Sequence, residues 1–513
     1  MIQIKKTNIF IFTSVLVLCV LFFFKSTADS VLTVHDDILT YMQVRQGTLW
    51  QTALDDAKHG RICHIPLTFL LYIPYMFNSV LMVRIFSMAA VLFDMTAIYK
   101  LIKNNTDSYS AYLSCLLFIA FACISNQHNL LVSYIIGHQI PIGIMLFSIN
   151  SFTEYYNSKH KTSTLIKSAL LFFAASFLYE ACAAYILIFI FIAMYKNNGN
   201  IFRNCTRIIY DTHFHFLLLF LYTLIYFGWR KFYPSDYEGA KLYFGDIPQS
   251  FITMIKYSAG MIPGLPALAM VVKKYITFEE FRSALNIGNI VVPLITAITF
   301  YFVFPKIKNP KNKLACALLC IAGIIIPNLI ISFTPKYAEW TKGSSYSYVT
   351  SFYSYFFMIP LFLIVLKTIF RNNSKPVMIF LSSIVFCISF VSSAGNTAWN
   401  VYFGKNLERY KAFSAAVSGS YFDNLEDGTT VYIPDYTGIH NSMDITKSFA
   451  AIYTSADINF TNKIETIDFS HPAVFLKYSP EDKSMTAGNL NADGSFSDCF
   501  CIYGNSNITC EYN

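Results

Sequence analysis

The sequence predicts an all-α polytopic membrane bundle of about eleven transmembrane helices, with a small extracytoplasmic α/β or β-rich C-terminal domain. Three observations lead there. Only 13% of the 513 residues are charged and 55% are hydrophobic, whereas a soluble domain carries about 25% charge. The apolar residues come in blocks of roughly 16 to 24, the length a helix needs to cross hydrocarbon. Charge is also segregated. From Val401 onward 7 basic residues stand against 14 acidic ones, a net of −7, leaving +15 on the remainder of a chain whose total is +8. That basic excess lies in short loops between apolar blocks, as the positive-inside rule expects, and gives no reason to expect a nucleic-acid partner.

The spans follow in order. Lys5 and Lys6 precede the apolar run Ile9 to Phe24, which reads as a retained anchor because no small-residue cleavage site follows it. An outer loop, 25–64, comes next. Ser79 to Ile102, Tyr109 to Ser125 and Leu130 to Phe152 are further spans, with Lys103, Lys159 and Lys161 marking cytoplasmic turns. Leu165 to Tyr195 is apolar over 31 residues, about 46 Å as one helix, against a core of about 30 Å. Basic residues flank both of its ends, so the chain turns back near Tyr179-Glu180-Ala181 and holds Glu180 just below the outer surface. His213 to Trp229 crosses outward into the loop 230–285. There Ile247 to Val272 is broken by Lys256, Gly260, Pro263, Gly264 and Pro266, the pattern of a re-entrant element. Asn286 to Phe304, Leu314 to Phe333, Val349 to Phe370 and Val377 to Ser393 complete the set, with a last outer loop at 333–348. Residues 1–394 thus form the membrane domain and 395–513 a soluble one. In the latter, Leu407 to Val417 reads as helix, and Thr429 to Ile433 and Ala473 to Tyr478 as strands.

Of 12 cysteines, Cys63, Cys499, Cys501 and Cys510 fall on the outer side, where a disulfide from Cys510 to Cys499 or Cys501 suits an oxidising compartment. No CxxC pair or histidine cluster indicates a metal, and a divalent cation is left open as a cofactor.

Candidate chemistry begins in the first outer loop. His35-Asp36-Asp37 places paired carboxylates beside the membrane, where Asp36 or Asp37 could act as a general base; the structural alternative is an N-cap for the helix that follows. Glu180 is an intramembrane acid, and such groups are costly to keep. Cations on the same face, suited to a phosphate, are Arg45, Arg230, Lys231, Lys336 and Lys342, with Lys336-Tyr337 preferred because it follows a span. Its alternative is a lysine snorkelling beside Tyr337 and Trp340. Asp55 and Asp56, flanked by Lys58, His59 and Arg61, read as a solvated face of an amphipathic helix at Leu49 to Ala57. Arg84 and Asp94 do not share a helix face, so each is expected to have partners elsewhere. His64, His128 and His138 read as interfacial hydrogen-bonders. Tyr346, Tyr348, Tyr353 and Tyr355 could stack on sugar rings or form an aromatic belt.

A carboxylate just past the first span, many later spans and an extracytoplasmic tail together resemble the glycosyltransferases of the GT-C fold, and within them the phage-type serotype-converting O-antigen glucosyltransferases. The local elements that carry the resemblance are His35-Asp36-Asp37 and Tyr179-Glu180-Ala181. It implies an undecaprenyl-phosphate-linked sugar donor (a glucose), a lipid-linked O-antigen acceptor, membrane lipid around the bundle, and inverting transfer. It also implies a bacterial inner-membrane location with a cytoplasmic N-terminus and a periplasmic C-terminal domain. By it, the family's catalytic carboxylate falls on Asp36 or Asp37; the residues themselves add Glu180 as a catalytic candidate and Arg45, Arg230, Lys336 and Tyr337 as substrate-binding ones. An O-antigen polymerase or ligase is the first alternative, though the last outer loop is short for one. A flippase is the second, though mid-membrane charges beyond Arg84 and Asp94 are few.

Overall fold

The computed structural model describes residues 6–158, 160–197, 201–235, 237–272, 277–308, 310, 312–342, 346–370, 374–434 and 443–504. The chain divides into two units: Met1–Ala28 with Leu49–Trp399, and Asp29–Thr48 with Asn400–Asn513. The sequence boundary near residue 395 lies close to the second break. That residues 29–48 of the first loop join the C-terminal unit was not visible in the chain order.

The first unit is helical. It comprises α1 (Lys6–Lys25), then α3 (Leu49–Lys58) and α4 (His64–Tyr72), with α2 belonging to the other unit. There follow α5 (Val80–Asn105), α6 (Ser108–Phe121), α7 (Gln139–Asn157), α8 (Thr162–Leu178), α9 (Ile186–Lys196) and α10 (Ile201–Phe232). After them come α11 (Ile247–Ala259), α12 (Leu265–Val272), α13 (Phe278–Ala284), α14 (Gly288–Val303), α15 (Lys313–Ile325), α16 (Leu329–Ser332), α17 (Pro335–Lys342) and α18 (Val349–Ile369). The helix α19 (Lys375–Ser418) supplies residues to both units.

Among the described residues six helical stretches are long and apolar enough to cross a membrane, and four shorter apolar ones accompany them. One of these, His64–Phe77, occupies a stretch the sequence reading left unassigned. The helices are inside-out relative to a soluble protein. On α10, Leu217, Phe220, Leu224 and Phe227 form an exposed apolar stripe, while Asp211, His215 and Tyr222 are buried. An apolar stripe facing outward is stable only against lipid.

The expected helix Leu130 to Phe152 is corrected. α6 ends at Phe121 and α7 begins only at Gln139, and the intervening backbone is irregular and mostly buried. Side chains complete its hydrogen bonding, as non-helical backbone in this setting requires. Asn396 accepts from the Ile124 amide at 2.8 Å and donates to the Ala122 carbonyl at 2.8 Å. Asn129 accepts from the Leu131 amide at 2.9 Å, and Gln139 accepts from the Ile136 amide at 3.1 Å while donating to the Leu130 carbonyl. Arg84 donates to the Leu131 carbonyl at 3.2 Å and to Thr27 Oγ1. Its partners are thus on other segments, as expected. Tyr134 and Ile136 adopt φ of 49° and 67°, a left-handed conformation that costs a non-glycine residue about 1–3 kcal/mol.

The turn near Glu180 is observed. Tyr179 is extended, a 3-10 turn spans Glu180–Tyr185, and Phe172 on α8 stacks edge-on to Phe189 on α9 at 5.3 Å. One unbroken helix would separate those rings by about 25 Å. Ile247 to Val272 is broken, as expected, into α11 and α12. α11 braces α17: Lys256 donates to the Thr341 carbonyl at 2.6 Å, and Thr253 meets Thr341 at 2.9 Å.

In the C-terminal unit, α2 (His35–Gln46) and the end of α19 pack on a five-stranded sheet with short helices α20 (Ser420–Asp423) and α21 (Met443–Ala450). The strands are β1 (Thr430–Tyr432), β2 (Asn459–Thr461), β3 (Ala473–Ser479), β4 (Ser484–Leu490) and β5 (Phe496–Tyr503), in the order β2-β1-β3-β4-β5. β1 runs parallel to β2 and β3, and β3, β4 and β5 are antiparallel. The two strands expected from sequence are β1 and β3. The helix expected at Leu407 to Val417 is not separate but the last part of the 44-residue α19. Ile38 and Met42, one turn apart on α2, enter a core with Phe413, Val417, Val431 and Leu476. Asn400 fastens the loop segment to α19, accepting from the Asp29 amide at 2.8 Å and donating to its carboxylate at 3.0 Å. Cys499 is disulfide-bonded and Cys501 is a free thiol; Cys510 lies outside the described residues.

Candidate functional site

The expected site residues fall into two sets, one in each unit, and each set has its own geometry. In the C-terminal unit, Asp36 and Asp37 occupy the first turn of α2 and Arg45 its last. The capping alternative is corrected: the N-cap is Val34, and no side-chain cap hydrogen bond forms there. Both carboxylates instead sit where the helix macrodipole favours negative charge. Their surroundings differ, because successive helix residues point about 100° apart. Asp36 is exposed, and its carbonyl accepts from Thr40 Oγ1 at 2.8 Å. Asp37 is 2% exposed. Arg45 lies over the Tyr41 ring at 5.3 Å, and Tyr41 Oη is 3.2 Å from Tyr453 Oη. Burial, with Tyr453 beside it, pushes the Tyr41 phenol well up, so it stays neutral.

In the membrane unit, Lys336, Tyr337, Arg230 and Glu180 belong to a polar and aromatic cluster built from α10, α17 and the segments before α4 and α18. Lys336 Nζ donates to Tyr237 Oη at 3.0 Å and lies 4.3 Å from the centre of that ring and 5.3 Å from Trp340. Two aromatic rings beside this half-buried ammonium hold it by cation–π attraction. Tyr237 Oη is 3.2 Å from Tyr337 Oη, which is 3.1 Å from Tyr348 Oη. An ammonium can only donate, so Tyr237 accepts from Lys336 and its own proton can be directed along the phenol chain. Desolvation first, then Tyr348 and Tyr237, pushes the Tyr337 phenol far above its ordinary value.

Sequence reasoning missed Arg61 and Tyr237. Arg61 lies 3.9 Å over the face of Tyr237 opposite in role to Lys336: one cation stacks, the other also donates. Arg61 had been read only as part of a solvated face, and nothing in its flanks signalled an aromatic partner 176 residues away along the chain. On the rest of that face Lys58 lies 3.7 Å from Asp55 and His64 Nδ1 4.0 Å from the half-buried Asp56. Burial raises the Asp56 carboxyl, opposed by Arg61 and His59.

Arg230 spends two donors on the Gly60 and Ala240 carbonyls, each at 3.3 Å, and stacks over Tyr226 at 4.2 Å. Its first role is thus to bind two loops together. Glu180 is half-buried and, among the described residues, forms no salt bridge. Its charge reaches Cys63, whose thiol is pushed up to about 12 mainly by burial and then by Glu180. Lys342 is taken up by Glu339 at 3.1 Å on the surface. His128 Nδ1 is 3.0 Å from Tyr134 Oη and its ring stacks on Trp340 at 5.4 Å, as an interfacial hydrogen-bonder would. The sugar-stacking option for Tyr353 and Tyr355 is corrected. Tyr353 and Tyr355 are fully buried and donate to His138 O and Phe118 O at 2.6 Å, and Tyr346 donates to Ser125 O at 2.6 Å. Among the described residues no three His, Cys, Asp or Glu side chains come together as a metal site.

No protein-family model matches the chain, and no curated protein matches it in sequence. Solved structures do resemble it. The Archaeoglobus fulgidus oligosaccharyltransferase in its apo form aligns at 13% identity and TM-score 0.40, over 87% of this chain. AglB from the same organism, in complex with an inhibitory peptide and a dolichol-phosphate, aligns at 13% identity and TM-score 0.40 over 88% of this chain. The chain spans less than two thirds of these two proteins, 64% and 65% of their lengths. ArnT from Cupriavidus metallidurans bound to undecaprenyl phosphate aligns at 10% identity and TM-score 0.40, over 93% of this chain and 94% of its own. No residue correspondence is drawn from likenesses of this degree.

Proposed function

We propose that this protein is a membrane glycosyltransferase of the GT-C type that moves a sugar, glucose by the sequence resemblance, from a polyprenyl-phosphate donor to an O-antigen acceptor on the periplasmic side. The observation that carries this reading is Lys336, an ammonium held beside Tyr237 and Trp340 at the head of a chain of hydrogen-bonded phenols. A leaving phosphate needs a preorganised cation and hydrogen-bond donors, and these are most effective in a poorly solvated site. Glu180, in the same unit, could take the proton of an attacking hydroxyl, and the sequence resemblance offers Asp36 or Asp37 for that role. Tyr337 holds the Lys336–Tyr237 pair in place, and Arg45 and Arg230 are offered as further phosphate partners. The disulfide at Cys499 supports an oxidising compartment for the C-terminal unit.

The deciding experiment uses the full chain in lipid nanodiscs with radiolabelled undecaprenyl-phosphate glucose and a lipid-linked O-antigen repeat. Transfer that is lost on Lys336→Ala and on Asp36→Asn supports the reading. Full transfer in Asp36→Asn, Asp37→Asn and the double variant would remove the carboxylate assignment. Movement of the lipid-linked sugar between leaflets without any transfer would favour the flippase alternative, and chain extension of the acceptor by whole repeats the polymerase or ligase.

A further inference from the structure

A cavity lies in the membrane unit, remote from the cluster just described. It measures about 470 Å³ and is walled by α5, α6, α7, α9, α15 and α18. Its distance from the phenol chain follows from α18: Tyr348 caps one end of that helix and Lys367, in the cavity wall, lies near the other, roughly 28 Å away along the axis.

The lining is divided by chemistry. Most of the wall is aliphatic or aromatic, with Ile188 and Ile192 from α9 and Leu363 from α18. Lys196, Lys308 and Lys367 also border it, and among the described lining residues there is no carboxylate. The three lysines differ in setting: Lys308 is exposed, Lys196 half-buried and Lys367 8% exposed, its ammonium 3.4 Å from the Phe304 carbonyl and 4.9 Å from the Phe304 ring. Asn105 and Thr106, at the end of α5, add uncharged polar groups.

An apolar chamber whose charged lining residues are all lysines matches an anionic amphiphile; the Asp107 carboxylate, outside that lining, accepts from the Lys308 amide at 3.0 Å. The volume lies in the range of about 300–1,000 Å³ usual for ligand pockets. A water takes up about 30 Å³ of liquid, and a methylene is of similar size, so the chamber holds roughly fifteen such groups. That is one acyl chain, and well short of a long polyprenyl chain. We infer that this cavity is a binding site for an anionic phospholipid, with one acyl chain between α9, α15 and α18 and its phosphate at Lys196, Lys308 and Lys367. The site is independent of the sugar-transfer reading, and the sequence places its lysines at the cytoplasmic side.

The test is native mass spectrometry of the full chain released from nanodiscs containing phosphatidylglycerol or phosphatidylcholine with the same acyl chains. Phosphatidylglycerol is expected to be retained in preference. Removing each of Lys308 and Lys196 to alanine should reduce that preference roughly fivefold, and Lys308→Arg should restore it. Ala315→Trp, which fills the chamber, should abolish retention of both lipids. Lys308 is exposed, so Lys308→Ala tests the phosphate contact even where the tryptophan variant does not fold. Equal retention of the two lipids, or a preference that survives loss of the lysines, would overturn the inference. So would displacement of phosphatidylglycerol by undecaprenyl phosphate at equal concentration through the same lysines, which would assign the cavity to that lipid.

Discussion

Lys336 Nζ stands 3.0 Å from Tyr237 Oη and 4.3 Å from the centre of the same ring, so one tyrosine both accepts its proton and faces its charge. Removing the hydroxyl separates the two contacts. Tyr237→Phe keeps the ring and deletes the acceptor, a loss of about 1.5–3 kcal/mol for a hydrogen bond to a charged group. We expect KM for the lipid-phosphate donor to rise about tenfold or more, with Lys336→Ala more severe and Lys336→Arg intermediate. Donor-saturation kinetics in nanodiscs would check this order; an unchanged KM in Tyr237→Phe would show that the pair plays no part in donor binding.

Asp36 and Asp37 should separate by the property each variant damages. Asp36 is exposed, so Asp36→Asn is expected to leave the unfolding temperature alone while lowering kcat by about 10²–10⁴ if it is the general base. Asp37 is buried, so Asp37→Ala should act first on stability, by about 1–3 kcal/mol. Parallel thermal melts and turnover assays would distinguish the two, and a kcat loss confined to Asp37 would reverse the roles.

Asn396 is expected to be a structural keystone. Its amide satisfies the Ala122 carbonyl and the Ile124 amide, both within buried irregular backbone. Asn396→Ala orphans both groups, each at about 1–3 kcal/mol, and should lower the detergent melting temperature markedly. Asn396→Asp keeps the acceptor alone and should fall between wild type and alanine.

Cys63 offers a pH test. Its thiol is buried and pushed up to about 12, so the reactive thiolate is scarce at pH 8. Iodoacetamide labelling followed by peptide mass spectrometry should leave Cys63 unmodified at pH 8 while modifying the less buried Cys501. Comparable labelling of the two would place Cys63 in a different environment.

The core of the C-terminal unit supplies a further stability test. Met42 is 4% exposed and packs with residues from the far end of the chain, so Met42→Ala should cost about 2–5 kcal/mol. Limited proteolysis should then cut residues after 400 while sparing the membrane helices. Undiminished protease resistance would show that the 29–48 segment contributes little to that unit.

What could be read along the chain was whatever depends on near neighbours. Apolar runs, basic flanks and the impossible length of Leu165 to Tyr195 located the spans and the turn at Tyr179-Glu180. The broken Ile247 to Val272 followed from its prolines and glycines. The approach failed where local pattern was ambiguous. The apolar run from Leu130 looks helical, yet its backbone is claimed by Asn129, Gln139 and Arg84. Three of the five strands escaped notice because they are short or mixed in polarity, such as Ser484–Leu490 with Gly488 inside it.

Taken alone, the sequence determined that this is a membrane chain, where most of its apolar spans lie and which polar residues deserve suspicion, since burial in lipid is a property of each segment's own composition. Only the tertiary structure decided that the Asp36 helix is part of the C-terminal unit's core, that Lys336 is held by Tyr237, and that Arg61 shares that ring. Those partners are separated by tens to hundreds of residues, and their pairing is set by which helix faces meet when apolar surface is buried, a choice no local stretch of chain encodes.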